Sequence, residues 1–146
     1  MKKKIWNIYD KDFKYEEYQN DKPERLFVYY GNKLEEDTSK LFEYEYSSNV
    51  VSLDSFPIMC KSVFYIKVKD NYKNGIFEIT YPSDKLYPCK FHSILTENRY
   101  DCNSKEELQT KLELEIANER LGQVLSNILH YFYSNDEVEK ALLTNE

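Results

Sequence analysis

The sequence predicts an α+β fold. It reads as a mainly antiparallel β-sheet over the N-terminal two-thirds, packed by a long C-terminal helix and a short terminal helix. Three observations carry this. Between Ser104 and Tyr133, apolar residues recur at three- and four-residue steps, which places them on one side of a helix. Upstream, apolar and aromatic residues instead alternate at the two-residue step of a strand. The strand-like segments all precede the helical ones and do not interleave with them, which argues against a parallel α/β sheet.

Taken in order, Lys4–Tyr9 alternates as a short strand. Phe13–Tyr18 fits either a helical turn or a loop, and Asn20-Asp21-Lys22-Pro23 is a loop. Arg25–Tyr30 reads as a strand, because Leu-Phe-Val-Tyr-Tyr is rich in β-branched and aromatic side chains and Gly31-Asn32 closes it. Leu34–Ser39 reads as an acidic turn. Lys40–Tyr46 alternates, with Leu41, Glu43 and Glu45 on one face and Phe42, Tyr44 and Tyr46 on the other.

Ser47-Ser48-Asn49 reads as a turn, Val50–Leu53 as a short strand and Ser55-Phe56-Pro57 as a loop. In Ser62–Lys69, Phe64, Ile66 and Val68 face one way and Val63, Tyr65 and Lys67 the other. Asn74-Gly75 is the strongest hairpin signal, since a type I′ turn needs positive φ at both central residues. Ile76–Tyr81 is then the returning strand. Lys90–Leu95 reads as the last strand, with Asn98–Asn103 leading into the helix.

In that helix, Leu108, Leu112, Ile116, Leu121, Val124, Leu125, Ile128, Leu129 and Phe132 form the stripe. Ser104 and Glu107 make a capping box at its start. A straight helix over Ser104–Tyr133 would run about 45 Å at 1.5 Å per residue, so a break near Asn118–Gly122 fits a domain of this size. Ser134 and Glu137 form a second capping box, opening a terminal helix that carries Val138, Ala141 and Leu142.

The 146 residues are expected to form one domain, 1–146. Only 3 are glycine, which argues against a Gly-rich nucleotide loop. The net charge of −6 is unevenly distributed. Residues 10–46 carry 11 acids against 6 bases, residues 104–146 carry 9 against 4, and the segment between is near neutral. An acidic surface repels phosphate backbones and attracts cations, so the expected partner is a basic protein and not a nucleic acid. The lysines at positions 2–4 are not followed by an apolar run, and no window approaches a membrane span. Cys60, Cys89 and Cys102 are an odd, sparse set, read as reduced thiols of a cytoplasmic protein.

The chemistry-bearing residues show no phosphate loop, zinc-protease helix or nucleophile elbow. Cys89-x-x-His92 with Cys102 and Cys60 outlines a metal set. The odd spacing, however, puts Cys89 and His92 on opposite faces of a strand. The expectation is therefore no metal, no cofactor and no catalytic residue, with His130 at the boundary of the helical stripe.

The candidate binding residues are acidic and aromatic. Glu35, Glu36 and Asp37 form a triple acid; Glu43 and Glu45 share a strand face; Tyr44 and Tyr46 stand opposite. Carboxylates steer a cationic partner and tyrosines supply rigid contact area. In composition the chain is similar to bacterial immunity proteins, though no motif ties it to a named family. The leading expectation is a small acidic binding module, an immunity or inhibitor protein that covers a basic toxin or effector. An adaptor pairing through its C-terminal helix and an enzyme with an unrecognised site are the alternatives.

Overall fold

The computed structural model describes residues 20–51 and 58–143. The expected strand Lys4–Tyr9, the Phe13–Tyr18 segment, the loop Ser55-Phe56-Pro57 and the end of the expected Val50–Leu53 strand lie outside these residues. Among the described residues, helix α1 (Arg25–Asp37) is followed by strands β1 (Glu43–Val51), β2 (Met59–Val68), β3 (Tyr72–Pro82), β4 (Cys89–Ser93) and β5 (Arg99–Cys102). Helices α2 (Lys105–Ile116), α3 (Glu119–Phe132) and α4 (Asn135–Leu143) come after them. The strands form one antiparallel sheet in the order β1-β2-β3-β4-β5, a meander. The class is α+β.

Strand alternation sorts the sheet into two faces. Phe64, Ile66, Val68, Ile79, Tyr81, Cys89, Phe91 and Cys102 are buried on one of them. That face is covered at one end by α1, which packs on β1, and at the other by α2, which packs on β4 and β5. Phe27 of α1 meets Phe64 at 5.3 Å between ring centroids, and the aromatic row continues through Phe77, Phe91 and Tyr100. Aromatic pairs at such separations add to the area term that drives burial.

The segment Arg25–Tyr30, expected as a strand, is instead the first half of α1. Leu26, Phe27, Tyr30 and Leu34 recur at helical steps, and all pack on the core. Five consecutive strand-prone residues hid that longer period, and tertiary packing overrides a weak local preference. The helix also ends without the usual glycine. Lys40 N–H donates to the Glu35 carbonyl (2.7 Å) and Ser39 N–H to that of Glu36 (3.2 Å), a Schellman closure with Ser39 at φ 48°. The acidic turn expected at Leu34–Ser39 is therefore mostly the last turn of this helix.

Two further expectations change. Ser47-Ser48-Asn49 is the middle of β1 and not a turn: its residues pair with Val63, Ser62 and Lys61, and the Ser48 and Ser62 hydroxyls are 2.7 Å apart. Asn74-Gly75 lies inside β3, because the β2–β3 turn is made at Lys69-Asp70-Asn71 with Lys69 at φ 52°. Gly75 serves a bulge there. The register shifts between Phe64 and Tyr65, and a β-carbon at residue 75 would lie 2.9 Å from Val63 Cγ1. The Asn98–Asn103 approach to the helix contains β5, which the sequence reading did not separate from the loop.

Both capping boxes form. Glu107 N–H donates to Ser104 Oγ (3.1 Å), while the Glu107 carboxylate reaches back to Asn103 N–H (2.6 Å). Ser134 and Glu137 bond each other directly: Glu137 N–H donates to Ser134 Oγ and Ser134 N–H to the Glu137 carboxylate, at 3.2 Å each. The long helix is broken at Ala117-Asn118, where the Asn118 carboxamide caps α3 by accepting from Arg120 and Leu121. The stripe shifts at the break: Leu108, Leu112, Leu121 and Leu129 are buried, Leu125 is half-buried, and Ile116 is 42% exposed. Among the described residues, no helix is long and apolar enough to cross a membrane.

Candidate functional site

The acidic candidates fall on two sides of the sheet. Glu35, Glu36 and Asp37 occupy the last turn of α1, which carries no basic residue. The carbonyl end of a helix is its negative pole, so three carboxylates there oppose the dipole. Among the described residues, neither Glu35 nor Asp37 has a cation within ion-pair distance, and Glu35 Oε2 is a buried oxygen without a hydrogen bond.

Tyr44 belongs to the same side. Its hydroxyl is 3.0 Å from Asn32 Oδ1, its ring stacks on Phe64 at 5.6 Å, and burial followed by the negative charge of Glu35 raises its pKa. Tyr46 also points to the helix side and is partly exposed. Glu43 and Glu45 stand on the opposite, open face, as their alternation requires.

The open face is not acidic. Glu45 is clamped by Lys73 at 2.7 Å and Lys67 at 3.0 Å. The Lys73 ammonium also sits 4.5 Å over the Tyr65 ring. These hydrogen bonds, from Lys73 first and then Lys67, hold the Glu45 carboxyl below the ordinary range. Farther along, Glu78 is held by Lys61 and His92, each at 3.3 Å. Lys61, Lys67, Lys73, Lys90 and Arg99 thus share this face with Glu43, Glu45, Glu78 and Asp101. Among the described acids of residues 20–46, Glu35, Glu36 and Asp37 lie together on α1.

Beside the acidic end of α1 lies an apolar cavity of about 130 Å³. Phe27, Phe64 and Phe77 form its aromatic wall, Leu112, Leu121 and Leu125 close it from the helices, and Lys33 and Asp37 are its polar lining. Leu112 and Leu121 line it from the two helices on either side of the break. Tyr30 closes part of the rim by donating to Glu113 Oε1 (2.8 Å). A hollow this size, lined this way, accepts one compact apolar group.

Cys89 and His92 are on opposite faces of β4: Cys89 is buried against Cys102, and His92 is paired with Glu78. No set of three or more metal-type ligands gathers among the described residues. A polar hollow of about 420 Å³ on the open face contains His92, Glu78, Thr80, Lys90, Arg99 and Asp101. It brings an imidazole and a carboxylate together, the arrangement that an acid–base reading requires. His130 is exposed on α3.

The strongest polar feature is one the sequence reading did not select. Glu115 is 1% exposed and accepts from Asn98 Nδ2 (2.8 Å), Thr96 Oγ1 (2.9 Å) and the Tyr100 hydroxyl (2.5 Å). Burial opposes its ionisation, but the donated bonds outweigh it and keep the carboxyl below the ordinary range. Its position was readable: Leu108, Leu112 and Glu115 are spaced i, i+4, i+7, so a charged residue occupies a core slot of the stripe.

No protein-family model, curated protein or solved structure matches this chain.

Proposed function

We propose that the protein is a small acidic binding module that engages a basic protein partner, in the manner of an immunity or inhibitor protein that neutralises a toxin or effector. The observation that carries this reading is the end of α1. Glu35, Glu36 and Asp37 crowd the negative pole of the helix, and Asp37 stands on the lining of an apolar cavity. Carboxylates placed there weaken the helix, and a cationic partner relieves that cost on binding. An apolar pocket beside them offers an anchor point, the arrangement in which a few contacts dominate affinity. Tyr46 extends the candidate surface along β1, whereas Glu43 and Glu45 stand on the other face of the sheet, Glu45 engaged by its two lysines.

The test is a binding titration with the partner recovered from the native cell, repeated across salt. Reversing Glu35 and Asp37 to lysine is expected to weaken binding and flatten its salt dependence. Reversing Glu43 alone should have the smaller effect. Unchanged affinity in the α1 variant at every salt concentration defeats this reading.

A second reading is an adaptor that pairs through its C-terminal helices. Leu114 is 56% exposed and Tyr131 83% exposed. Val124, Ile128, Tyr131 and Phe132 form an apolar furrow with Tyr72. Association through this furrow would persist or strengthen in high salt, which separates it from the electrostatic reading.

A further inference from the structure

We propose that Cys89 and Cys102 are a disulfide site, closed by a thiol oxidant into a reversible bridge across the β4–β5 hairpin. The two residues are direct partners in the antiparallel ladder, both fully buried and both free thiols. Their thiols are close enough that each shifts the other's titration. The register also fixes the kind of pair. Ser93 N–H donates to the Asn98 carbonyl at 2.9 Å, and alternation from there makes Phe91–Tyr100 and Cys89–Cys102 hydrogen-bonded pairs. The Cα separation of such a pair is about 5.5 Å, inside the window of roughly 4.4–6.8 Å that a disulfide spans. The β-carbons must draw together as the bond closes, and that distortion makes the bridge easier to reduce than a relaxed one.

The third thiol is kept apart. Cys60 pairs with Tyr81 across β2–β3. Tyr81 follows Thr80, whose partner is Lys90, so Tyr81 stands between Cys60 and Cys89 in the row across the sheet. Geometry therefore selects one of the three pairings. Burial pushes the Cys89 thiol up to about 12, so the closed fold is unreactive. Reaction requires the hairpin to open. Strand β5 has four residues and is the end strand among the described residues, which makes local opening the accessible route.

With glutathione disulfide as oxidant, the Cys102 thiolate attacks one glutathione sulfur and expels a glutathione thiolate. The Cys89 sulfur then displaces the second glutathione from Cys102. Two protein thiols become one S–S bond, and two electrons and two protons leave with two molecules of reduced glutathione.

The test uses the whole chain and its Cys60→Ser variant, equilibrated in glutathione buffers of increasing oxidising ratio. Samples are quenched in acid and then alkylated under denaturing conditions for intact mass and peptide mapping. The expected result in both proteins is loss of two alkylatable thiols, a Cys89–Cys102 cross-linked peptide, reversal by excess reduced glutathione, and a higher Tm in the oxidised form. The proposal is overturned if both thiols remain alkylatable at the most oxidising ratio. It is equally overturned if oxidation stops at glutathione adducts, or if the bridge found in the wild type contains Cys60.

Discussion

Tyr44 of β1 lies over Gly31 of α1, so close that a β-carbon on residue 31 would stand only 2.3–2.5 Å from three of its ring carbons. This contact sets how nearly the helix can approach the edge of the sheet, and it seats Tyr44 between Gly31 and Phe64. Alanine is the better helix former by about 1 kcal/mol, yet Gly31→Ala should destabilise the protein, by about 1–3 kcal/mol for overpacking. Gly122 on α3 is the control. It has nothing within 4 Å of an added β-carbon, so Gly122→Ala should stabilise by up to about 1 kcal/mol. Chemical denaturation of the two variants should move the midpoint in opposite directions. A stabilised Gly31→Ala protein would show that α1 does not rest on Tyr44.

Glu115 ties the end of α2 to the β4–β5 turn through Thr96, Asn98 and Tyr100. Glutamine cannot accept every one of those bonds, because its amide nitrogen brings donors to donors. Glu115→Gln should cost about 1–3 kcal/mol, the penalty of buried polar groups left without partners. The wild-type carboxyl titrates below its ordinary range when folded. Its stabilisation is therefore complete above the ordinary glutamate pKa and is lost as the pH falls through the folded value. Urea unfolding across acidic pH should show a steeper loss in wild type than in the variant. Parallel curves would mean that Glu115 is not the group being titrated.

Leu112 and Leu125 lie in the same helical stripe but in different surroundings. Leu112 is fully buried, while Leu125 is half-buried beside the cavity. Leu112→Ala should cost about 2–5 kcal/mol, and Leu125→Ala distinctly less, because fewer of its contacts are lost. A larger loss at Leu125 would place the core on α3 and not on α2.

The clamp on Glu45 predicts a carboxyl that titrates below the ordinary glutamate range in NMR-detected titration. Since this pKa is lowered on folding, any stabilisation it gives is present at neutral pH and fades as acid protonates the folded carboxyl. Lys73→Ala should move the titration back toward the ordinary value, and salt should do so in part, because the pair is exposed. An ordinary titration in wild type would return Glu45 to the pool of free surface acids.

In the proposed binding surface, the residue types are legible in the sequence and their grouping is not. Alternation correctly separated Glu43 and Glu45 from Tyr44 and Tyr46. It could not show that Lys67 and Lys73 arrive from β2 and β3 to neutralise Glu45, because that pairing spans more than twenty residues of chain and depends on register. The triple acid was visible, but its place at the negative end of a helix was not. The Schellman closure there uses Ser39 and Lys40 in place of the usual glycine, so the helix carries no local stop signal.

What the sequence by itself determined was local and short in range: the two capping boxes, the Asn118 break and the two faces of the Ser62–Lys69 strand. Each follows from residues within a few positions of one another, whose hydrogen bonds or periodicity are complete in isolation. The tertiary structure decided the rest. It made a helix of Leu-Phe-Val-Tyr-Tyr because Leu26, Phe27, Tyr30 and Leu34 could bury one stripe together, and it drew the polar Ser47-Ser48-Asn49 into β1 because β2 offered a ladder to complete. It placed Cys89 opposite Cys102 through the turn that joins β4 to β5. In each case the local preference was weak or ambiguous, and the deciding free energy came from surface and hydrogen bonds supplied by distant parts of the chain.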